Sequence, residues 1–470
     1  MRRAKTITLA AIVSLGGCAG VETHKDFTAL QQDVTARLGR TVHWHDGSPA
    51  DREADRQIET LLAAPLTADS AVQIALLNNR RLQAAYESLG IAQADLVAAG
   101  LLRNPVFDAA YRFGESGATA RIDLGLTVNF LDLLFVGARR DVAAAGLDAA
   151  KANVTAAVLD LAERTRQAFY SCQAAEQAVE LRRQVADATE ASADLAKKLR
   201  DAGNTTSLAL ASEQALHAEA RVAREAAAAD AAAARETLSA LLGVWGGQTA
   251  WTIDGRLADP TNAEPSIDGV EKQAVAANVA LRAARARVAG SLRSLGVARP
   301  LGLLSDAELG ISGEREDGEW FTGPSVALPV PLFSQGQPAV ARAAAAVRQG
   351  RADLYATAIE VRSAARAAHA RVIALRKQID LSRGTVLPLR ERVVRETQLQ
   401  YNAMQIGAFQ LLSAKRDQIE SAAAYLRVLR EYWIAKSRLS SILAGHVPAE
   451  ESAVLGRFDA VERIGEIVHD

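Results

Sequence analysis

Two similar halves, about 200 residues apart, limit what this chain can fold into more than any other feature of its sequence. Residues 71–85 read AVQIALLNNRRLQAA, and residues 270–284 read VEKQAVAANVALRAA. In this alignment Asn79 matches Asn278, 199 positions further on. Internal similarity at a fixed period indicates one structural unit that is built twice. The sequence therefore predicts a duplicated architecture.

The predicted repeats cover residues 66–258 and 269–445, and residues 259–268 form a linker with two prolines. A Leu-Phe pair closely followed by glycine marks the same point in each repeat, at residues 134–135 and 332–333. Each repeat is predicted to hold a short helix, two strands, a long helix and a return helix. The fold class is therefore mainly α with a small β part.

Alternating apolar residues predict the strands. The predicted strand pairs are residues 106–113 with 119–130 and residues 306–313 with 323–332. In the stretch ARIDLGLTVNF, every second residue from Ile122 to Val128 is apolar, which places these side chains on one face. The first short helix, over residues 68–99, ends before Asn104-Pro105, since the residue before a proline avoids helical backbone angles. Prolines in the last strand weaken its assignment, because proline donates no hydrogen bond to a sheet.

The long helices are predicted over residues 137–203 and 336–407, each ending at a glycine. A helix of 66 residues is roughly 100 Å long. Both carry a seam with the heptad spacing of a supercoiled helix, and the second seam weakens towards its end, where its last turn is polar. The first seam is Leu181, Val185, Ala188, Ser192, Leu195 and Leu199, and the second is Ser382, Val386, Leu389, Val393, Glu396 and Gln400. Return helices are predicted over residues 208–242 and 408–443, and Pro388 is expected to bend or interrupt the second long helix.

The amino terminus has the features of a secretion signal. Basic residues precede a short apolar run over residues 6–15, which is too short to span a bilayer. The following Leu-Gly-Gly-Cys resembles the lipobox of bacterial lipoproteins, so we expect a signal peptide over residues 1–17 and lipidation at Cys18. The alternative is an ordinary cleaved signal with an incidental cysteine. Residues 18–65 are then a lipidated periplasmic segment and residues 446–470 a periplasmic tail. Ala19, where inner-membrane retention signals usually carry Asp, implies the outer membrane.

Composition excludes several classes of protein. The 54 basic and 55 acidic side chains leave no positive excess to hold a nucleic acid. No run of about 18 consecutive apolar residues is present, so no membrane-spanning helix is expected. The sequence contains no phosphate-binding loop, metalloprotease helix or nucleophile elbow, so we expect neither an enzyme nor a cofactor.

Four strands in one chain cannot close a barrel, and open sheet edges are not viable in lipid. The strands therefore form a soluble sheet, or several chains pool them. Three chains would pool twelve strands, an even number within the range of outer-membrane barrels. Alanine-rich helices of this length also need neighbours to pack against.

Three segments resemble the TolC-like outer-membrane channel family, in its lipoprotein branch that serves tripartite efflux pumps. They are LTADSAVQIALLNNRRLQAAYESLGIAQADLVAAGLLRNP, GPSVALPVPLFSQGQPAVARAAAA and YLRVLREYWIAKSRLSSILAG, within a resemblance that covers residues 66–445. The resemblance implies a homotrimer with a twelve-stranded β-barrel in outer-membrane lipid, on an α-helical barrel in the periplasm. It implies a passive duct for drugs or metal ions, with a periplasmic adaptor and an inner-membrane pump of the RND type as partners.

The resemblance also implies roles for the two helix-to-helix turns, which meet the adaptor in the family. The expected contacts are Gly203, Asn204, Thr205, Thr206, Ser207, Gln405, Ile406, Gly407 and Ala408. The alternative is that these residues only form turns, with glycine supplying a positive φ. The expected periplasmic constriction is formed by Tyr401, Gln410 and Ser413. Some members carry an acidic ring there, which this sequence lacks, so we expect gating by helix packing, with Tyr401 hydrogen-bonded to a neighbouring helix.

Two alternative functions and a candidate metal site also follow from the sequence. The fold is shared with ducts of type I protein secretion, and a periplasmic adaptor or scaffolding coiled-coil lipoprotein is a third class. His43 and His45 form the one histidine cluster of the sequence, which in a metal-efflux system suggests a metal site. Two histidines supply too few ligands, so we expect solvated loop side chains. Cys172 is expected to be a small packed residue.

Overall fold

The computed structural model describes residues 24–113, 120–253, 255–260, 266–304, 307–316, 318–330, 332–333 and 335–448. The predicted signal peptide and the lipidation site at Cys18 lie outside these residues. So do residues 261–265 of the predicted linker and residues 449–470 of the predicted tail.

Helices dominate both repeats. The first half of the chain forms α1 (His24–Leu38), α2 (Pro49–Ala63), α3 (Ala68–Asn78), α4 (Arg80–Gly100), β1 (Val106–Arg112), β2 (Arg121–Asn129), α5 (Phe130–Asp201) and α6 (Ser207–Leu242). The second half forms α7 (Ile267–Ala277), α8 (Val279–Leu304), β3 (Glu308–Glu316), β4 (Glu319–Ala327), α9 (Gln337–Leu381), α10 (Leu387–Asn402) and α11 (Ala408–Ala444). The predicted order of elements is therefore confirmed in each repeat.

The short helix predicted over residues 68–99 is wrong in one respect, because Asn79 divides it into α3 and α4. Asn79 has extended backbone, with φ −66° and ψ 117°. Its side-chain oxygen accepts hydrogen bonds from the amides of Arg81 and Leu82, and its Nδ2 donates to the carbonyl of Leu241 at 2.9 Å. The side chain thus caps the start of α4 and binds the end of α6.

The second repeat places Asn278 in the same situation between α7 and α8. Its backbone angles are φ −64° and ψ 123°, and both asparagines are buried. The alignment of Asn79 with Asn278 therefore marks a structural equivalence. In the first repeat the buried Asn79 side chain satisfies backbone groups that the helix break leaves free.

Several predicted boundaries are wrong, among them the end of β3, which is Glu316 rather than residue 313, and the start of β4, which is Glu319 rather than residue 323. Helix α5 begins at Phe130, seven residues before Gly137, directly after β2. Strand β4 ends at Ala327 rather than at residue 332, because Pro329 and the residues after it cannot continue a sheet ladder.

The interruption expected at Pro388 is confirmed as a π-helical turn over Ser382–Val386. Within this turn the amide of Leu387 bonds to the carbonyl of Ser382, five residues back. Pro388 follows in the first turn of α10, where its missing N–H and its ring are tolerated. The second long helix is therefore two helices, α9 and α10, joined by the π-turn.

The chain divides into two compact units. Of the described residues, the first unit holds residues 24–30, 86–154 and 280–357, which include the four strands. The second unit holds residues 31–85, 155–279 and 358–448 and contains helices and connecting segments.

The core of the second unit is lined by aliphatic and alanine side chains of α5. Val158 and Leu159 are at most 1% exposed, and Cys172 is fully buried as expected. Burial raises the pKa of the Cys172 thiol to about 12. Cys172 therefore acts as a small packed side chain.

One described helix is long and apolar enough to cross a membrane by length and composition. It covers Leu134–Asp201 and includes an 18-residue window of mean hydropathy 1.3. Because 44% of that window is buried within the protein, a core helix explains the same composition. The window is therefore weak evidence against the expectation that no helix spans a membrane.

Candidate functional site

The four strands form one antiparallel sheet in the order β1-β2-β3-β4. Strands from the two repeats thus meet at the β2–β3 pairing, where Leu126 lies opposite Ile311. In the part of the chain that the structure describes, β1 and β4 each pair on one side only. The sheet is open at both edges.

The pairing register separates the sheet into two different faces. Because alternate residues of a strand point to opposite faces, Phe107, Leu126 and Ile311 share one face, as the register aligns them. That face is mostly apolar. Its apolar members are Phe107, Ala109, Tyr111, Ile122, Leu124, Leu126, Val128, Leu309, Ile311, Trp320, Pro324 and Val326. Many are exposed, among them Phe107 at 67% and Ile311 at 66%, so a large apolar surface is uncovered.

The opposite face is polar and carries ion pairs between neighbouring strands. Arg112 lies 3.1 Å from Asp123, and Arg121 lies 2.9 Å from Glu314 and also pairs with Glu316. The sheet is therefore amphipathic, with one face suited to a non-polar medium and the other to water.

The first helix-to-helix turn follows α5 at Gly203, which has a φ of 76°. The Asn204 amide bonds to the Leu199 carbonyl at 2.8 Å, and the Gly203 amide bonds to the Arg200 carbonyl at 2.9 Å. This pair of bonds is the Schellman motif that ends many helices. Thr206 then caps α6, its Oγ1 accepting from the Ala209 amide at 3.1 Å.

The second turn repeats this motif with a different residue at its centre. The Gln405 amide bonds to the Gln400 carbonyl at 3.0 Å, and the Met404 amide bonds to the Tyr401 carbonyl at 2.9 Å. Met404 has a φ of 57°, alone among the described non-glycine residues, and its side chain is 93% exposed. The prediction that the second long helix runs to Gly407 is therefore wrong, since α10 ends at Asn402. Gly407 is the N-cap of α11 and corresponds to Thr206.

The predicted tip residues lie in these two turns. Among them, Gly203, Asn204, Thr206, Ser207, Gln405 and Gly407 are exposed, while Thr205 and Ile406 are half-buried. Ala408 begins α11. Sequence reasoning missed Met404, although its offset of 201 from Gly203 equals the offset between the two helical seams.

The predicted constriction residues lie on both sides of the second turn. Tyr401 is 38% exposed, and Gln410 and Ser413 are exposed on α11. Ser413 lines a cavity of about 170 Å³ together with Leu412, Phe409 and residues of α5 and α6. The adjacent charges are paired, since Asp417 lies 3.5 Å from both Arg390 and Arg416.

The two predicted seams are buried to different degrees. In the first, Val185 and Ser192 are buried, and Val185 packs in a cluster with Ala220 and Ile419. In the second seam, the apolar members are exposed on the single chain. Those members are Val386 at 43%, Leu389 at 50% and Val393 at 46% exposed.

His43 and His45 are not the solvated loop side chains that the sequence predicts. Their side chains are only 17% and 16% exposed, and Asp51 joins them from the first turn of α2. His43 Nε2 lies 2.6 Å from Asp51 Oδ1, and His45 Nδ1 lies 3.6 Å from the same oxygen. Burial alone raises the pKa of Asp51, but hydrogen bonds from His43 and the Gly47 amide outweigh it and lower the pKa. The structure therefore gathers three groups that are able to bind a metal ion.

Comparisons with solved structures show a shared fold. The open state of the Neisseria gonorrhoeae MtrE outer membrane channel is 20% identical, with a TM-score of 0.66 over 80% of this chain and 89% of that one. The Campylobacter jejuni CmeC outer membrane channel is 15% identical, with a TM-score of 0.65 over 89% of this chain and 94% of that one. CusC, solved in a study of folding and transmembrane channel formation, is 17% identical, with a TM-score of 0.66 over 83% of this chain and 92% of that one.

Sequence comparison finds a similarity to one family model over part of the chain. No curated protein matches the sequence. Residues 71–244 match the family model described as outer membrane efflux protein. The match covers most of the first repeat, and the structural similarity extends over both. Residues 71–244 are therefore similar to outer membrane efflux proteins, and the chain shares the fold of the solved outer-membrane channels.

Proposed function

We propose that the chain is the outer-membrane channel of a tripartite efflux system, a passive trimeric duct that exports small molecules such as drugs or metal ions. The observation that carries this proposal is the open amphipathic sheet. Its apolar face suits contact with lipid, its polar face suits a water-filled lumen, and its two edges need partners.

Three copies of the sheet supply the missing partners. Pairing β1 of one copy with β4 of the next removes every open edge and gives twelve strands, an even number typical of outer-membrane barrels. Strands of 7 and 9 residues approach the roughly 9–11 residues that a tilted spanning strand needs. The polar face, with Arg112–Asp123 and Arg121–Glu314, then lines the lumen.

The exposed row Val386, Leu389 and Val393 supports the same assembly independently. These residues have the 3-4 spacing of a coiled-coil seam and lie uncovered on a single chain. A helix of a neighbouring copy that packs against this row removes apolar surface from water. The row is therefore proposed as part of the contact between subunits in a helical barrel.

The two Schellman turns are proposed as the contacts for a periplasmic adaptor, with the tip residues predicted from the sequence and Met404 added. Tyr401, Gln410 and Ser413 are proposed as the periplasmic constriction. Because neither Gln410 nor Ser413 is acidic, this constriction differs from one that selects cations by a ring of carboxylates. Cys18 is proposed to carry the lipid anchor, and an inner-membrane pump of the RND type to supply energy.

Paired substitutions on β2 test the proposed barrel. Leu126 and Thr127 are neighbours that point to opposite faces of the sheet. Leu126→Lys puts a charge into lipid, at a cost of about 2–4 kcal/mol near the bilayer centre, whereas Thr127→Lys faces the lumen. We expect Leu126→Lys to abolish heat-resistant trimers in detergent and Thr127→Lys to retain them. A soluble monomer, or equal behaviour of the two variants, contradicts the barrel.

Conductance in planar bilayers and co-purification test the duct itself. We expect trimers to conduct ions and to co-purify with an adaptor and a pump, whose identity then indicates the exported class of substrate. Trimers that insert into bilayers without conducting contradict a duct. Co-purification with a protein-secretion transporter instead of a pump assigns the channel to type I secretion.

A further inference from the structure

We propose that His43, His45 and Asp51 form a binding site for a divalent transition-metal ion of the Zn²⁺ class. The three ligand atoms are His43 Nε2, His45 Nδ1 and Asp51 Oδ1, which lie within 4.8 Å of one another. This site is separate from the sheet and the helix turns, and it does not depend on the proposed channel function.

The hydrogen bonding of His45 argues for a cation between His45 and Asp51. His45 Nε2 lies 3.1 Å from the carbonyl oxygen of Leu77, which can only accept a hydrogen bond. Nε2 therefore carries the proton, and in the neutral ring Nδ1 presents a lone pair. That lone pair faces the Asp51 carboxylate at 3.6 Å. With the ring neutral, two acceptors face each other and repel, and a cation between them, either a metal ion or a proton on Nδ1, removes the repulsion.

The Leu77 carbonyl also has the role that outer partners have in known metal sites. A ligating histidine usually donates its second ring N–H to a carbonyl or carboxylate, which fixes the tautomer and the ring orientation. In His45 the bond from Nε2 to Leu77 leaves Nδ1 free to ligate. The separation of 3.6 Å between Nδ1 and Asp51 Oδ1 is close to the about 3.3 Å between two ligands of a tetrahedral Zn²⁺ ion.

Backbone hydrogen bonds hold the ligands in place. The side chain of Gln83 donates to the carbonyl of His43 and accepts from the amide of His45, both at 2.9 Å. The second carboxylate oxygen of Asp51 accepts from the Gly47 amide at 2.8 Å. The ligands are therefore oriented without an ion, which lowers the entropy cost of binding one.

Binding requires one local adjustment. His43 Nε2 and Asp51 Oδ1 are 2.6 Å apart, which is a hydrogen bond, so the His43 ring changes tautomer as the ion enters: Nε2 gives its proton to water, Nδ1 takes one from water, and the ring stays neutral. The two atoms then separate to the spacing of metal ligands. Two imidazoles and one carboxylate favour zinc and similar transition metals over Ca²⁺ or Mg²⁺, which prefer oxygen ligands. Three protein ligands leave a fourth position for water.

Metal titration of the full chain tests the site. The purified full-length protein is stripped with a chelator and titrated with Zn²⁺ in competition with a chromophoric chelator, whatever its oligomeric state. We expect one tight site per chain. His45→Gln and Asp51→Asn each remove a ligand, so each is expected to weaken binding by more than the roughly tenfold loss seen when an outer partner is removed. Co²⁺ in place of Zn²⁺ is expected to give visible absorption that both variants lose.

His446→Gln is the matched control. His446 Nε2 lies 3.2 Å from Asp160 Oδ1, a histidine–carboxylate pair outside the three-residue group. This variant is expected to bind Zn²⁺ like the wild type. The proposal is overturned if His45→Gln binds Zn²⁺ as tightly as the wild type. It is also overturned if the folded wild-type protein takes up no stoichiometric Zn²⁺. In the absence of Zn²⁺ uptake, His43, His45 and Asp51 form only hydrogen bonds and ion pairs with one another. Circular dichroism of each variant checks folding, and conductance is recorded separately because the channel does not use these residues.

Discussion

Met404 stands in the second repeat where Gly203 stands in the first. Both residues have a positive φ, 57° and 76°, and both are the central residue of a Schellman motif at the end of a long helix. A side chain other than glycine costs about 1 kcal/mol in this backbone conformation. The second turn is therefore strained where the first is not, and strain of this kind often marks a functional position.

Met404→Gly is expected to raise the free energy of unfolding by about 1 kcal/mol, because glycine adopts a positive φ without strain. Chemical denaturation of the trimer measures the change. Ala403→Gly is the control, since Ala403 has a φ of −80° and glycine only adds flexibility there. If Met404→Gly and Ala403→Gly both lose stability, the backbone of Met404 is not strained. A loss of adaptor binding in Met404→Gly alone supports the exposed methionine as a contact.

Gly445→Ala is expected to destabilise the fold by at least about 2 kcal/mol. Gly445 has a φ of 111°, and a Cβ atom there would lie 2.2 Å from the carbonyl oxygen of Ala277. Gly39→Ala is the control, because Gly39 has a φ of 63° with no atom within 4 Å of the added carbon. We expect it to lose only about 1 kcal/mol. Equal losses in denaturation would show that the close approach to Ala277 is unimportant.

Arg37→Met is expected to destabilise the fold by about 1.5–3 kcal/mol. Arg37 Nη1 donates to the carbonyls of Ala277 and Ala444, each at 2.7 Å, and these residues end α7 and α11. Its side chain is 17% exposed, so water replaces these bonds poorly. Arg56→Met, at a side chain that is 71% exposed, should change stability little. Similar unfolding curves for both variants would contradict the capping role.

We expect Asp160 to make the free energy of unfolding decrease at acid pH. A hydrogen bond from His446 outweighs burial and lowers the pKa of Asp160 below 3.8. The carboxylate therefore contributes stability that is fully present above pH 3.8 and is lost as the pH falls through the lower folded pKa. Between about pH 5 and pH 2, the wild type should lose more unfolding free energy than Asp160→Asn. Asp230→Asn, at an exposed position, should follow the wild type.

Regular periodicity explains what the sequence predicts well. The duplication, the strand pairs and the return helices all appear as repeated or alternating patterns, which depend on neighbouring residues. Helix α6 was expected over residues 208–242 and covers Ser207–Leu242, because Thr206 provides an N-cap and Gly243 a left-handed end.

Long-range contacts explain what the sequence misses. Asn79 breaks a helix because its side chain binds the carbonyl of Leu241, a partner 162 residues away. Asp51 completes the histidine cluster only because the segment after His45 turns back into α2. Glycine is the usual residue at a helix end, so the sequence predicts that the second long helix ends at Gly407. No pattern within the segment shows that Met404 adopts a glycine-like conformation. The heptad seam over residues 382–400 predicts that a helix packs there, but it does not reveal whether the partner belongs to the same copy or to another one.

The two unpaired sheet edges have a consequence for mixtures of intact and defective copies. In the proposed ring of three copies, every copy meets both others, so one defective copy prevents closure for its two sound neighbours. If half of the copies made in a cell carried a substitution that blocks β1–β4 pairing, random mixing would leave only about one ring in eight entirely intact. A damaging allele expressed beside a normal one would therefore behave as dominant.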